Sequence, residues 1–157
     1  MIRHIVAFDR KRGFAKGGVI PWYIPDDEAF FSTETKKYGG NVLVGARTFE
    51  TFQHPLSERK NYVLTHSSTP IPGAVVVNDL QKFLAEFQED LWVIGGAVSF
   101  EQTLDVADEL YITKIDAEFG CDRFYPEYED KFELVQESQP KSQNGFNFVY
   151  TVYRPKR

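Results

Sequence analysis

Apolar positions along this chain recur in two different rhythms. Some form short unbroken runs, as in Val42-Leu43-Val44 and Trp92-Val93-Ile94, which suit strands covered on both faces, because a half-exposed strand alternates instead. β-rich runs span residues 2–8, 41–45, 61–65, 74–78, 91–95 and 110–119. Between them, residues 26–37, 48–52, 80–87 and 99–104 place apolar side chains at helical spacing. Strands alternating with helices predict α/β crossovers and a sheet whose strands run parallel.

The end of the chain breaks this alternation. Two further runs, 132–138 and 146–153, are joined by Gln139-Pro140-Lys141-Ser142-Gln143-Asn144-Gly145. That stretch is rich in turn formers and too short for a crossover helix, so the two runs pair as an antiparallel hairpin at the sheet edge. The expected fold is therefore α/β, a central mixed, mostly parallel eight-stranded sheet flanked by about four helices. Pro70-Ile71-Pro72-Gly73 reads as a tight turn rather than a linker. Without repeats or low-complexity tracts, residues 1–157 are expected to form a single domain.

Composition narrows the function classes. With 42% hydrophobic and 15% aromatic residues in 157, the chain has enough apolar content for a substantial core. A net charge of −5 and scattered basic residues disfavour a grip on nucleic acid, which needs clustered Lys and Arg. Arg10-Lys11-Arg12 reads as a solvated turn. The lone Cys121 excludes an internal disulfide and fits a reducing compartment. The first residues are too soon charged for a signal peptide, and no apolar run approaches the roughly 20 residues of a membrane span. The expectation is a cytoplasmic protein without membrane or nucleic-acid partners, and a monomer.

Three segments carry candidate chemistry. In the first, a Gly-rich loop from Gly13 leads through Pro21-Trp22-Tyr23-Ile24-Pro25 into a helix that opens with Asp26-Asp27-Glu28. Acids there suit the positive end of the helix dipole, with Asp26 as a cap. Asp27 and Phe31, four apart, share a helix face, and a carboxylate beside apolar rings acquires a raised pKa and can hold a planar heterocycle. In the second, the strand through Ile94 passes Gly95-Gly96 into a helix, where paired glycines let backbone approach a pyrophosphate; a plain strand-to-helix connection reads equally well, and no G-x-G-x-x-G is present. In the third, Val44-Gly45-Ala46-Arg47-Thr48 is another strand opening through glycine into a helix, a second possible phosphate site. Arg59 and His66, each taken alone, read as surface residues. No His, Cys and acid cluster has metal-ligand spacing, and no Ser or Cys sits in a nucleophile context.

Taken together and in order, Pro21-Trp22, Pro25-x-Asp27-x-x-x-Phe31, Val44-Gly45-x-x-Thr48-Phe49-Glu50, Pro55-Leu56-x-x-Arg59, Val93-Ile94-Gly95-Gly96 and Leu110-Tyr111-x-Thr113 resemble the bacterial dihydrofolate reductase family, and Asp122 and Pro126 match as well. The likeness runs from the first strand to the last. It implies hydride transfer from a nicotinamide to a pterin, with protonation of the neighbouring imine nitrogen. On that resemblance Asp27, Trp22 and Thr113 are the catalytic group. Ile5, Ala7, Phe31, Leu56 and Ile94 form the pocket wall, and Arg59 pairs with the substrate's glutamate carboxylate. The same resemblance assigns Ala7, Ile20, Gly45, Arg47, Thr48, Thr65, His66, Ser67, Ile94, Gly95, Gly96, Ala97, Val98 and Phe100 to an NADPH site. Residues 13–22 become a loop that closes on the nicotinamide and excludes water. Dihydrofolate and antifolate inhibitors are the implied small-molecule partners.

Three positions depart from the family pattern. Ala46 and Val98 stand where arginines commonly face the cofactor phosphates, and a lost charge-assisted contact costs on the order of 1.5 to 3 kcal/mol, which leaves NADPH preferred over NADH by fewer contacts. Glu28 stands where an apolar residue usually lines the pocket; inward, it would disfavour ionisation of Asp27, and outward it would face solvent. Two other readings stay open at this point, a related pterin or pyrimidine reductase, which would not need both Asp27 and Arg59, and a non-catalytic folate- or nucleotide-binding module.

Overall fold

The computed structural model describes residues 1–157. Its sheet is laid out around β1 (Ile2–Phe8), with β6 (Leu91–Gly95) on one side and β7 (Glu109–Ile115) on the other, both parallel to it. Beyond β6 come β3 (Asn41–Gly45), β4 (Lys60–Leu64) and β5 (Ala74–Val77), again parallel. Beyond β7 lies β11 (Phe146–Pro155), antiparallel, carrying β10 (Lys141–Gln143) on part of its length and β9 (Phe132–Glu137) on another. The expected mixed, mostly parallel sheet with its antiparallel C-terminal hairpin is present. The connecting stretch after residue 138 also contributes β10, which turns into β11 through Asn144-Gly145, both at positive φ.

Four helices cover the sheet: α1 (Pro25–Thr35), α2 (Ala46–Phe49), α3 (Leu80–Glu86) and α4 (Ala97–Thr103). Alternate side chains of the strands face opposite ways. On one face Ile5, Val42 and Trp92 pack against Phe30 and Phe31 of α1. On the other, Val6, Leu43 and Val93 pack with Leu80 and Phe83 of α3 and Phe100 of α4. The outward crossover from β1 and the return crossovers that insert β6 therefore lie on opposite faces, as right-handed connections running in opposite directions require.

Local chemistry fixes the helix ends. α1 starts with Pro25 at its first position and three acids in its first turn; its N-cap is Ile24, with no capping side chain, so the cap expected of Asp26 is not formed. Asp79 does cap α3, accepting from the Lys82 N–H at 3.1 Å. α4 is anchored from beneath by His4, fully buried, whose ring nitrogens meet the Tyr125 and Thr103 hydroxyls at 2.7 Å each. Burial pushes that imidazole down to about 3, so it is neutral at physiological pH. No helix is long and apolar enough to cross a membrane.

Candidate active site

Parallel strands deliver their carboxyl ends to one edge of the sheet, where ligands of open α/β sheets bind. Here that edge carries Ala7, Gly45, Leu64, Ile94 and Thr113, and loops from every one of these strands converge on it. Asp27, in the first turn of α1, hangs over the β1–β7 pair, where Ala7 lies in register with Thr113. The Thr113 hydroxyl, 3% exposed, donates to Asp27 Oδ1 at 2.7 Å. Burial pushes the Asp27 carboxyl from its ordinary 3.8 up to about 6; the Thr113 hydrogen bond pulls the other way, and the Glu28 charge adds a small push upward. Glu28 itself is exposed, one helix position past the inward-facing Asp27. Its side chain faces solvent.

Next to Asp27 the wall is apolar. Phe31, Leu56 and Ile94 all pack on the Ile5–Val42–Trp92 cluster, so four of the five expected wall residues belong to one continuous surface. The fifth, Ala7, joins Trp22 in the neighbouring cluster around Ile24, Ile115 and Phe148. Sequence reasoning missed Phe30, Tyr111 and Tyr150. The rings of Phe30 and Tyr150 stack with centroids 4.2 Å apart, beside Asp27, and Tyr111 lies edge-on to Trp92 at 5.0 Å.

Arg59 guards the outer end of this wall. Its Nη1 donates to Thr35 Oγ1 at 2.9 Å and its Nε to the Ser57 carbonyl at 2.9 Å. Neighbouring Glu58 pairs with Lys36 at 3.1 Å and no carboxylate of the chain forms an ion pair with Arg59; burial lowers its guanidinium from the usual value, and the Glu58 charge offsets only part of this. A half-buried cation without an anion, held by two hydrogen bonds, is preorganised for an external carboxylate. Thr35 was not singled out in the sequence, although Asp27, Phe31 and Thr35 recur every four residues on one helix face. Asn61, also missed, holds the loop before Arg59 by accepting from the Leu56 N–H and donating to the Leu56 and Arg59 carbonyls, each at 3.0 Å.

The glycines of β3 and β6 meet on the other side of Ile94. A Cβ on Gly96 would lie 2.7 Å from Thr48 Oγ1, and one on Gly45 would lie 3.2 Å from Ser99 Oγ. Gly95 has φ +135, a conformation side chains rarely adopt. Gly45, Thr48, Gly95 and Gly96 thus form one close backbone cradle, which fits a group that must lie against main chain. Ala97 is half-buried beside it and Val98 is 61% exposed. Phe100, at 1% exposure, sits behind the cradle in the core, 3.9 Å from a Cβ built on Gly95, so its ring supports the glycines from beneath. Arg47 is exposed and in no ion pair. Thr65, His66 and Ser67 follow β4; Asn78 shapes this loop by donating to the Thr65 and Ser67 carbonyls, each at 2.8 Å.

Residues 13–22 cross the front of the site. Ile20 is exposed, Trp22 is half-buried against Phe119 with ring centroids 5.1 Å apart, and the Gly17 N–H donates to Asp122 Oδ2 at 3.0 Å. A separate cleft of about 460 Å³, lined by residues such as Arg12, Tyr128 and Pro140, touches Ile115 and Phe148 of the cluster beneath Trp22 but includes neither Asp27 nor Arg59 nor the glycines.

A single raised-pKa acid over an aromatic wall, with a free arginine at one end and a glycine cradle at the other, defines an α/β enzyme that seats a planar acidic substrate beside a second, phosphate-bearing molecule. The family model for dihydrofolate reductase matches residues 1–155. The dihydrofolate reductase of Bacillus subtilis (strain 168) is 35% identical over 162 residues, covering 99% of this chain and 95% of that protein. That of Haemophilus influenzae is 31% identical, covering 92% and 94%. A solved dihydrofolate reductase from Enterococcus faecalis, complexed with NADP(H) and RAB-propyl, superposes with a TM-score of 0.87 at 29% identity, covering 100% of this chain and 97% of that one. This chain belongs to the dihydrofolate reductase family.

Proposed function

We propose that this protein reduces 7,8-dihydrofolate to 5,6,7,8-tetrahydrofolate with NADPH, residues 1–157 acting as one domain and as a cytoplasmic monomer. The observation that carries the reading is Asp27: a carboxyl whose pKa burial raises to about 6, fixed by Thr113 and flanked by an apolar slot. Its paired oxygens suit the amide and amino groups of a pterin, and its raised pKa keeps a proton available for relay, through water, to the ring's imine nitrogen. Phe31, Leu56, Ile5, Ala7 and Ile94 sandwich the ring, and Arg59 takes the glutamate carboxylate. Antifolates that mimic the pterin would occupy the same slot.

NADPH supplies the hydride. The cradle of Gly45, Thr48, Gly95 and Gly96 supports its seating against main chain, with Ala97 and Val98 continuing the wall and Phe100 backing the glycines from the core; Arg47, Thr65, His66 and Ser67 would meet its phosphates. Ile20 and Trp22, on the loop across the front, would exclude water from the reacting rings.

The test is the loss of reduced-nicotinamide absorbance with dihydrofolate, run with NADPH and with NADH, for wild type and Asp27→Asn. Turnover that prefers NADPH and collapses in the variant supports the reading. NADPH binding without turnover of dihydrofolate would shift the assignment to another reductase.

A further inference from the structure

Asp9 is a buried acid at the front of the molecule that the reaction above does not use. It follows β1, is 3% exposed, and pairs with no cation; its neighbour Arg10 bonds to Asp116 instead. Its two oxygens serve different segments. Oδ1 accepts the Lys11 and Gly13 N–H groups, each at 2.9 Å, closing the turn that opens the front loop. Oδ2 accepts the Phe119 N–H at 3.1 Å and the Cys121 thiol at 3.6 Å, on a segment more than a hundred residues away in sequence. Burial and the Asp9 charge push the Cys121 thiol up to about 11, so it keeps the proton it donates.

A buried carboxylate without a cation is costly unless donors fill its lone pairs. Here they are filled only while both segments are in place. The two also touch as closely as chain can: a Cβ on Gly13 would lie 2.4 Å from Cys121 Cβ and 2.9 Å from its Sγ. Finally, Phe119, whose N–H is held by Oδ2, packs its ring on Trp22.

We propose that Asp9 is a positioning residue for the reaction: by giving one oxygen to each loop it sets the spacing between the front loop and the Phe119–Cys121 segment, and through Phe119 it places Trp22 over the site. The functional consequence rests on the reading of the site as a dihydrofolate reductase, whereas the clamp itself does not.

Two readouts separate positioning from bulk stability. Trp92 is in the core, so acrylamide quenching of the apoenzyme reports Trp22. Asp9→Asn retains one acceptor and presents donors where the second was; it is expected to raise quenching and to lower kcat roughly tenfold, since sub-ångström placement errors carry such costs, with the KM for dihydrofolate within about twofold because the Asp27–Arg59 wall is untouched. Gly13→Ala should reproduce both changes by forcing the segments apart, and adding Cys121→Gly, which removes the opposing Cβ at 2.4 Å together with the thiol donor, should restore them in part, since the Phe119 N–H still holds Oδ2. Wild-type quenching and kcat in folded Asp9→Asn overturn the proposal, even if its Tm falls. If Asp9→Asn does not fold, Gly13→Ala with and without Cys121→Gly decides: absence of rescue overturns it. A wild-type protein that leaves dihydrofolate untouched refutes the enzymatic reading alone, and the quenching series still tests the clamp.

Discussion

On the substrate side of Ile94, Asp27 lies against a continuous aromatic and aliphatic wall, with its partner Thr113 buried and Arg59 held by two hydrogen bonds. On the side proposed for the cofactor, the candidate phosphate contacts are exposed: Arg47, His66 and Ser67 stand in solvent, and only backbone at Gly45, Gly95 and Gly96 is closely confined. The contrast is one of dielectric. A buried charge has its energy set by a few fixed neighbours, so each matters greatly; an exposed one is screened and contributes little. On the proposed reading, that difference would make Ala46 and Val98 a small loss on the cofactor side, whereas a change at Asp27 or Arg59 would be a large one.

Removing the buried acid tests the substrate side most severely. Asp27→Asn should lower kcat/KM at neutral pH by about 10²- to 10⁴-fold, the usual contribution of a positioned acid. If the protonated form is the proton source, as proposed, kcat/KM should fall as pH rises through about 6, and the variant should lack that inflection. The same group has a stability signature in the same pH window. Its folded pKa lies above its unfolded one, so its favourable contribution is complete below about pH 4 and is lost as pH rises through about 6. Asp27→Asn should therefore stabilise the apoprotein above pH 7 by up to roughly 3 kcal/mol, and not at all below pH 4. A denaturant titration at both pH values checks this; equal effects at both would mean that the carboxyl is not strained by burial.

Arg59→Leu comes next. It removes a charge-assisted fork, for which about 1.5 to 3 kcal/mol, or roughly ten- to a hundredfold, is the ordinary loss. The change should fall on the KM for dihydrofolate and leave kcat nearly intact, because the guanidinium lies at the far end of the wall from the reacting ring. An equal loss for a pterin lacking the glutamate tail would remove the assigned role.

Much of this was legible in the chain because it depends on local spacing. Unbroken apolar runs located the parallel strands, and the four-residue step from Asp27 to Phe31 placed acid and ring on one face. What escaped detection is held by distant partners. β2 (Gly13–Ala15) and β8 (Arg123–Phe124) are too short to show periodicity and exist because they pair with each other. The strand expected to reach residue 119 stops at Ile115, where Ala117 N–H bonds back to the Ile115 carbonyl and Arg10 takes over the Ala117 carbonyl. Phe100 backs the glycines from the core because the phase of α4 turns Ser99, Phe100 and Thr103 inward, a rotation no local pattern reveals.

The cofactor side should respond far less to a restored charge. Ala46→Arg adds a cation at the start of α2, where Ala46 is half-buried but a long side chain would reach solvent, and a solvated ion pair is worth about 0.2 to 1 kcal/mol. NADPH should therefore bind up to roughly fivefold more tightly, with the gain for NADH smaller and both gains shrinking with added salt. Isothermal titration of the two cofactors at two ionic strengths reads this directly. Equal, salt-independent gains would mean that residue 46 does not face the phosphates.

The smallest effect belongs to Glu28, and it tells the two environments apart at a single helix turn. Asp27 and Glu28 are adjacent acids, but the roughly 100° step between successive helix positions sends one into the wall and the other into water. Through solvent, Glu28 still nudges the Asp27 carboxyl upward. Glu28→Leu should leave dihydrofolate affinity within about twofold and move the Asp27 inflection slightly to lower pH, since only a screened like charge is lost. Strong tightening of dihydrofolate would place residue 28 in the pocket; an upward move of the inflection would mean that burial by the new leucine outweighs the removed charge, so that the boundary between the dry and wet sides of α1 falls one residue further out than the exposure of Glu28 indicates.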